Sequence, residues 1–310
     1  MSGSTIEIGR TPSSPWRLSP REWIRVLERT FKAFLADDAM GMSAQVAFSS
    51  LLAFFPAMIF LVGLVDLFGV YGTLQEFLAP VAPGEVLDTI ETLQKDTSTD
   101  TSVVAFVVGA SLAIWAASGA MGAVIKSVNR AYDWVETRPF WKTRLIAIVL
   151  VCLTGLVLAG LLLLIVFGGP LGTAIADKAG LGSAFELVWG IVRWPLAFLS
   201  ILLFFSLVYY LAPNVAHRHW TWLTPGAVLG SIAWLVLSGL FSLYTSFSDS
   251  YSKTYGALAS GIVLLLWLNY SAFALLFGAE LNSELERQAE TDAAGGENAG
   301  LIKPSRRDEL

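Results

Sequence analysis

Four polar side chains stand inside otherwise apolar stretches of this chain: Gln45, Asp66, Asn269 and Glu280. An ionisable group at the centre of a bilayer costs roughly 2.5–3.5 kcal/mol or more, so such residues are functional suspects by default. A carboxylate there can hold a cation or exchange a proton. An amide can coordinate a solute or bridge two helices, and bridging is the plainer reading of Asn269. Pro56 lies between Gln45 and Asp66. It cannot donate to the carbonyl of Leu52, so it loosens or kinks that turn. These residues are the candidates for a transport path. Asp66 and Glu280 each lie within about two turns of the end of an apolar run, where a carboxylate can also reach water.

Enzyme chemistry finds little to work with. The chain has two histidines, His217 and His219, and no Asp or Glu lies in the short loop between the runs they separate. Its one cysteine, Cys152, falls inside an apolar run. That inventory supplies neither a thiolate metal site nor an internal disulfide, and it assembles no histidine-rich two-metal hydrolase centre. There is no GxxxxGK[ST] phosphate loop and no GxSxG nucleophile elbow. No basic, aromatic-interleaved domain is present for nucleic acid. The reading is therefore non-enzymatic, with no cofactor, no metal and no nucleic-acid partner.

The elements that must position these residues are legible from composition. The chain has 310 residues, 55% hydrophobic and 15% charged, with a mean hydropathy of +0.63. A soluble domain carries about 25% charged residues. The apolar excess is gathered into six runs, at 44–67, 103–124, 145–167, 187–211, 223–244 and 257–281. Each is about the 20 residues a helix needs to cross the hydrocarbon core. LLLLIV at 161–166 lacks the alternation of a transmembrane strand. The expected fold is all-α: a six-helix transmembrane domain over 44–281.

The 20 Lys and Arg residues alternate between the two sides of these runs. Arg10, Arg17, Arg21, Arg25, Arg29 and Lys32 precede the first. Lys126, Arg130, Arg138, Lys142 and Arg144 follow the second, Arg218 follows the fourth, and Arg287, Lys303, Arg306 and Arg307 follow the sixth. The other side holds only Lys95, Lys178, Lys253 and, at the mouth of span four, Arg193. The positive-inside rule then places both termini in the cytoplasm of a multi-pass plasma-membrane protein, with membrane lipids as its certain neighbours. Homo-oligomerisation and protein partners stay open.

Outside the runs, residues 1–18 and 288–310 read as disordered, polar and rich in small residues. Ser19-Pro20-Arg21-Glu22 fits a capping box. Trp23, Ile24, Leu27, Phe31, Phe34 and Leu35 follow at helical spacing, so 19–38 is expected to be an amphipathic helix. It lies either on the inner leaflet or against the cytoplasmic end of the bundle. A second amphipathic helix is expected in the outer segment after Pro83-Gly84. Gly109, Ala113 and Ala117, with Gly226 and Gly230, are small residues at four-residue spacing and predict close helix packing. Trp194, Tyr209, Tyr210, Trp220 and Trp222 read as an interfacial belt, and Trp115 and Trp234 as core.

Several short patterns recur together. Phe48-Ser-Ser-Leu-Leu-Ala-Phe-Phe-Pro56 forms the proline-bearing first span. Asn129-Arg130-Ala-Tyr132 is followed by Glu136-Thr-Arg138-Pro139-Phe-Trp141. Then come Tyr209-Tyr-Leu-Ala-Pro213-Asn214, Pro225-Gly226-Ala227, Tyr255-Gly256 and Gly278-Ala-Glu280-Leu-Asn282. In this order they resemble the YihY/BrkB family of bacterial inner-membrane proteins over roughly residues 30–287. The resemblance implies six spans with both termini inside. It brings an old ribonuclease BN label, which the residue inventory opposes, and a virulence label. It also brings a link of some relatives to lipid or lipopolysaccharide export, and it carries over no catalytic residues. The function expected is transporter-like handling of lipid or another envelope component. A structural scaffold is the alternative, and a membrane nuclease a remote third.

Overall fold

The structure is a computed structural model that describes residues 18–67, 99–166, 178, 182–214, 224–246 and 257–293. Seven long helices make up its regular structure: α1 (Pro20–Ala36), α2 (Ala39–Leu67), α3 (Thr99–Ala131), α4 (Phe140–Val166), α5 (Gly182–Leu211), α6 (Pro225–Ser246) and α7 (Ala257–Ala293). Helices α2 to α7 are each long and apolar enough to cross a membrane. The expected outer amphipathic helix, Tyr255-Gly256 and the two histidines lie outside the described residues. The tail reading at 288–310 needs correction at its start, because α7 continues to Ala293 and Gln288 accepts a hydrogen bond from Arg29 at 2.6 Å.

Local chemistry sets where the helices begin and end. Ser19 caps α1, and Glu22 returns the bond to the Ser19 backbone at 2.6 Å, completing the capping box. Asp38, at φ 55°, caps α2 by accepting from Gly41 N–H at 3.2 Å. Helix α3 ends in a Schellman arrangement. Asp133 N–H donates to Arg130 O at 2.9 Å and Trp134 N–H to Asn129 O at 2.8 Å, with Asp133 in the left-handed region at φ 53°. Pro139 O accepts from Lys142 and Thr143 to start α4. Thr224 caps α6, accepting from Ala227 N–H at 3.1 Å, with Pro225 at the first helical position. Pro56 lies inside α2 as expected. Pro195 lies inside α5 and passed without notice in the sequence reading.

Each spanning helix packs on its neighbour in sequence, and α7 closes back on α2, so the main pairings form a ring; α7 also braces across to α3. The α2/α3 pair is the most extensive. There a Cβ added to Gly109 would come within 2.8 Å of the Phe60 backbone, so the two helices meet at contact distance. On the α6/α7 seam Trp234 donates to Ser271 at 2.9 Å and Trp267 to Ser238 at 3.3 Å, the two indoles meeting edge to face. Trp234 is therefore a packing residue, as expected. Trp115 is not: it is 67% exposed on the outside of α3.

The dense core occupies one end of the ring, the end that also carries α1 and the last turns of α7; we call it the basic end. Phe34, Val46, Val124, Val128, Leu150, Phe205, Val208, Tyr209, Leu275 and Leu276 all belong to it. Tyr209, expected in the interfacial belt, is a core residue there. Helix α1 packs lengthwise on α7 and runs antiparallel to it: Val26 clusters with Leu281 and Leu285, while Phe34 stacks on Phe273 at 5.5 Å.

Gly226 and Gly278 mark the tightest crossing. A Cβ on Gly278 would run into the Tyr209 hydroxyl and the Gly226 carbonyl, whereas one on Gly155 would meet nothing within 4 Å. Gly278→Ala is expected to destabilise the protein by about 1–3 kcal/mol through overpacking, despite alanine's better helix propensity. Gly155→Ala should be neutral or slightly stabilising. Thermal unfolding in detergent, followed by circular dichroism, checks the contrast.

Candidate functional site

The helix ends at the basic end are tied together by short polar side chains that stand next to prolines and glycines in sequence. Asn129, in the last turn of α3, is buried. Its amide nitrogen donates to Glu136 at 2.8 Å, and its oxygen accepts from Asn214 N–H at 2.7 Å. Asn214 follows α5 and Pro213, and its own amide donates to Val135 O at 2.9 Å and to the Thr137 hydroxyl at 2.8 Å. Arg138 grips Glu136 with two donors, at 2.7 and 2.6 Å, and gives a third bond to Ala212 O at 2.8 Å. One loop, residues 132–139, thereby joins the ends of α3 and α5 to the start of α4.

A second set joins α6 to α7. Asn282 accepts from Gly226 N–H at 2.8 Å and donates to Thr224 at 3.1 Å. Tyr132 is buried beside it. Tyr209 reaches from α5 to donate to Leu275 O at 2.6 Å. Glu280 is fully buried in the same layer. Ion pairs ring these groups. Arg130 approaches Asp37 at 3.9 Å, Arg29 approaches Glu284 at 3.7 Å, and Arg287 pairs with Asp133. The Arg287 contact holds the left-handed Asp133 on which the α3 turn depends.

The electrostatics of the seal are set by its buried hydrogen bonds. Hydrogen bonds from Arg138 hold the Glu136 carboxyl below its usual range, so it is ionised at neutral pH. Burial, reinforced by the nearby Glu286 carboxylate, pushes the Tyr132 phenol well above its ordinary value, so it stays neutral and able to donate. Among the described residues no group of three or more His, Cys, Asp or Glu is placed to hold a metal ion.

The structure convenes part of what the sequence singled out. Asn129, Arg130, Arg138, Pro139, Pro213, Asn214, Pro225 and Gly226 all meet in the seal. The intramembrane candidates do not converge. Gln45 is exposed, six residues into α2. Asn269 is half-buried in α7, about 20 Å along the helix from Asn282. Asp66 is in the last turn of α2, its side chain outside the described residues. Glu280 alone joins the seal. Sequence reasoning missed Glu136, Thr224, Asp37 and Asp133 as partners, and took Arg130 and Asn129 for a topology signal and a helix end. The available signal was the density of short polar residues beside prolines.

Because the Glu136 carboxyl is held low when folded, its stabilisation is fully present above the unfolded carboxylate range and is lost as pH falls through the folded value. The melting temperature of the wild type is expected to fall as pH drops from about 5 toward 3, and Glu136→Gln should flatten part of that fall. Asn129→Ala should cost about 1–3 kcal/mol at neutral pH by leaving buried partners unmatched. Both are read by thermal melts across a pH series.

The model of the family described as Virulence factor BrkB matches residues 30–301. A Bacillus subtilis (strain 168) protein, YfkH, whose name calls it ribonuclease-like, is 32% identical over 267 residues, 84% of this chain and 95% of its own. A UPF0761 membrane protein of Aggregatibacter aphrophilus is 24% identical over 284 residues, 85% of this chain and 93% of its own. Another, of Idiomarina loihiensis, is 36% identical over 129 residues, 38% and 44% of the two chains. No solved structure matches. With six apolar spanning helices, several of the ordered motifs gathered into one seal and a family match across nearly the whole chain, this protein belongs to the BrkB family of multi-pass membrane proteins.

Proposed function

We propose that this protein is a non-enzymatic, transporter-like component of the bacterial inner membrane, with both termini cytoplasmic, that handles lipid or another envelope component. The observation that carries the reading is the asymmetry of the ring. One end is closed by the polar seal. Toward the other end, among the described residues, no side chain beyond Leu150 in α4, Ser231 in α6 or Ala272 in α7 is buried, and in α5 none on the far side of Ala197 is buried. Helices packed around a filled centre keep a buried stripe along their whole length. A ring sealed at one end and, among the described residues of α4 to α7, loosely packed at the other is the form expected of a pathway closed on one side. The basic end faces the cytoplasm by the distribution of Lys and Arg.

The label in the name of YfkH suggests a nuclease, but the only histidines here are His217 and His219, too few for a histidine-rich two-metal hydrolase site. The scaffold reading is favoured by one observation: α1 leaves Ile24, Phe31 and Leu35 exposed by 66%, 56% and 49%. Arg130, Arg138 and Arg144 are a poor test of docking, since each is engaged within the chain.

The test is reconstitution into liposomes with fluorescent phospholipid, scored for movement between leaflets against empty liposomes. Wild type is expected to move lipid, and Asp66→Asn/Glu280→Gln to lose most of that activity while still inserting. No movement under any imposed ion gradient, with Ile24→Ser/Phe31→Ser losing a captured cytoplasmic protein, replaces this reading with the scaffold.

A further inference from the structure

Arg144 is the fifth residue of α4, one turn from the start of its apolar span, and no carboxylate pairs with it among the described residues. Its guanidinium lies 4.3 Å over the Trp115 ring, and one nitrogen donates to Trp115 O at 2.8 Å. That carbonyl also accepts from the Ser118 hydroxyl at 2.9 Å. The guanidinium Nε makes no hydrogen bond among the described residues, so donors remain that an anion can take up.

The surface around it has the shape for one. Trp115, Gly119, Gly122 and Lys126 follow one another at i, i+4, i+7 and i+11, so they form a single stripe of α3. Trp115 and Lys126 are exposed. A Cβ added to Gly122 would meet nothing within 4 Å, and one at Gly119 would meet only an Arg144 nitrogen at 3.9 Å. The stripe is thus an open trough floored by glycine, with Arg144 over its membrane end and Lys126 at its mouth, about 16 Å along the helix. The exposed Phe140 and Trp141 stand at the start of α4 nearby.

We propose that this α3/α4 trough is a lateral phospholipid site, in which Arg144 holds the headgroup phosphate and an acyl chain lies along Gly119 and Gly122. A planar guanidinium suits a phosphate through paired donors. Trp115 keeps the guanidinium turned toward the trough when no lipid is present, and Lys126 draws anionic headgroups from the surface. The site does not depend on the transport reading: a lipid held at Arg144 without movement across a bilayer leaves the site standing and that reading overturned.

Native mass spectrometry of the detergent-purified protein, titrated with phosphatidylglycerol, tests it. Wild type is expected to bind one lipid about tenfold more tightly than Arg144→Gln. Diacylglycerol, which lacks the phosphate, should bind no better than phosphatidylglycerol binds that variant. Gly122→Leu fills the trough without touching Arg144, and should weaken lipid binding at an unchanged melting temperature. It decides the matter if Arg144→Gln fails to fold. Equal affinity of wild type and Gly122→Leu overturns the proposal. So does full displacement of the lipid by millimolar inorganic phosphate, which assigns the site to a free ion.

Discussion

A transmembrane helix satisfies its own backbone along its length and leaves four donors and four acceptors bare at its ends. In this protein the end of α3, the start of α4, the end of α5 and the start of α6 are drawn together on one side of a ring, beside α7 and α1. Everything distinctive about the basic end answers that constraint. Asn129 and Asn282 each accept and donate through one short side chain, and Asn214 donates through both its side chain and its backbone, so these residues tie neighbouring elements together. Arg138 does the same for a carboxylate and a helix-end carbonyl. Small residues are required beside them, since the amide of Asn282 reaches the Gly226 backbone only because no side chain intervenes.

The same constraint explains the division of labour along the ring. Polar groups near the membrane boundary can be exchanged between helix ends at little cost once they are buried as matched pairs. Deeper in the spans the chain relies on close contact instead, as at Gly109 against Phe60. Where neither device is used, beyond Leu150 in α4, Ala197 in α5, Ser231 in α6 and Ala272 in α7, the helices have no buried side chains among the described residues. The contrast in burial between the two ends thus follows where the hydrogen bonds are.

How much of this could be read beforehand depended on the physics involved. Six spans followed from apolar length and were placed within a few residues. Helix α3 runs to Ala131 rather than 124, and α4 starts at Phe140 rather than 145, because cations and aromatics at helix ends depress the apolar signal without breaking the helix. The capping box of α1 was legible because it is local. Asn129, Pro213, Asn214 and Gly226 stood out as motif residues, but their meeting was not legible: Asn129 and Asn214 are 85 residues apart, and nothing local pairs them. Trp115 was misread because a lone tryptophan in an apolar run looks alike whether it faces protein or lipid. Tyr209 was misread because its hydroxyl partner is a backbone carbonyl on another helix.

Closure of the ring by α7 on α2 has a consequence for biogenesis. The helices enter the membrane in order, so the first of them waits for the last before the assembly is complete. The α2/α3 hairpin can form early, but Gly226 and Asp133 acquire their partners only when Asn282 and Arg287 arrive on the final helix. Until then the nascent chain displays an open edge of unmatched polar groups at the membrane surface. Loss of that edge therefore waits for the last helix.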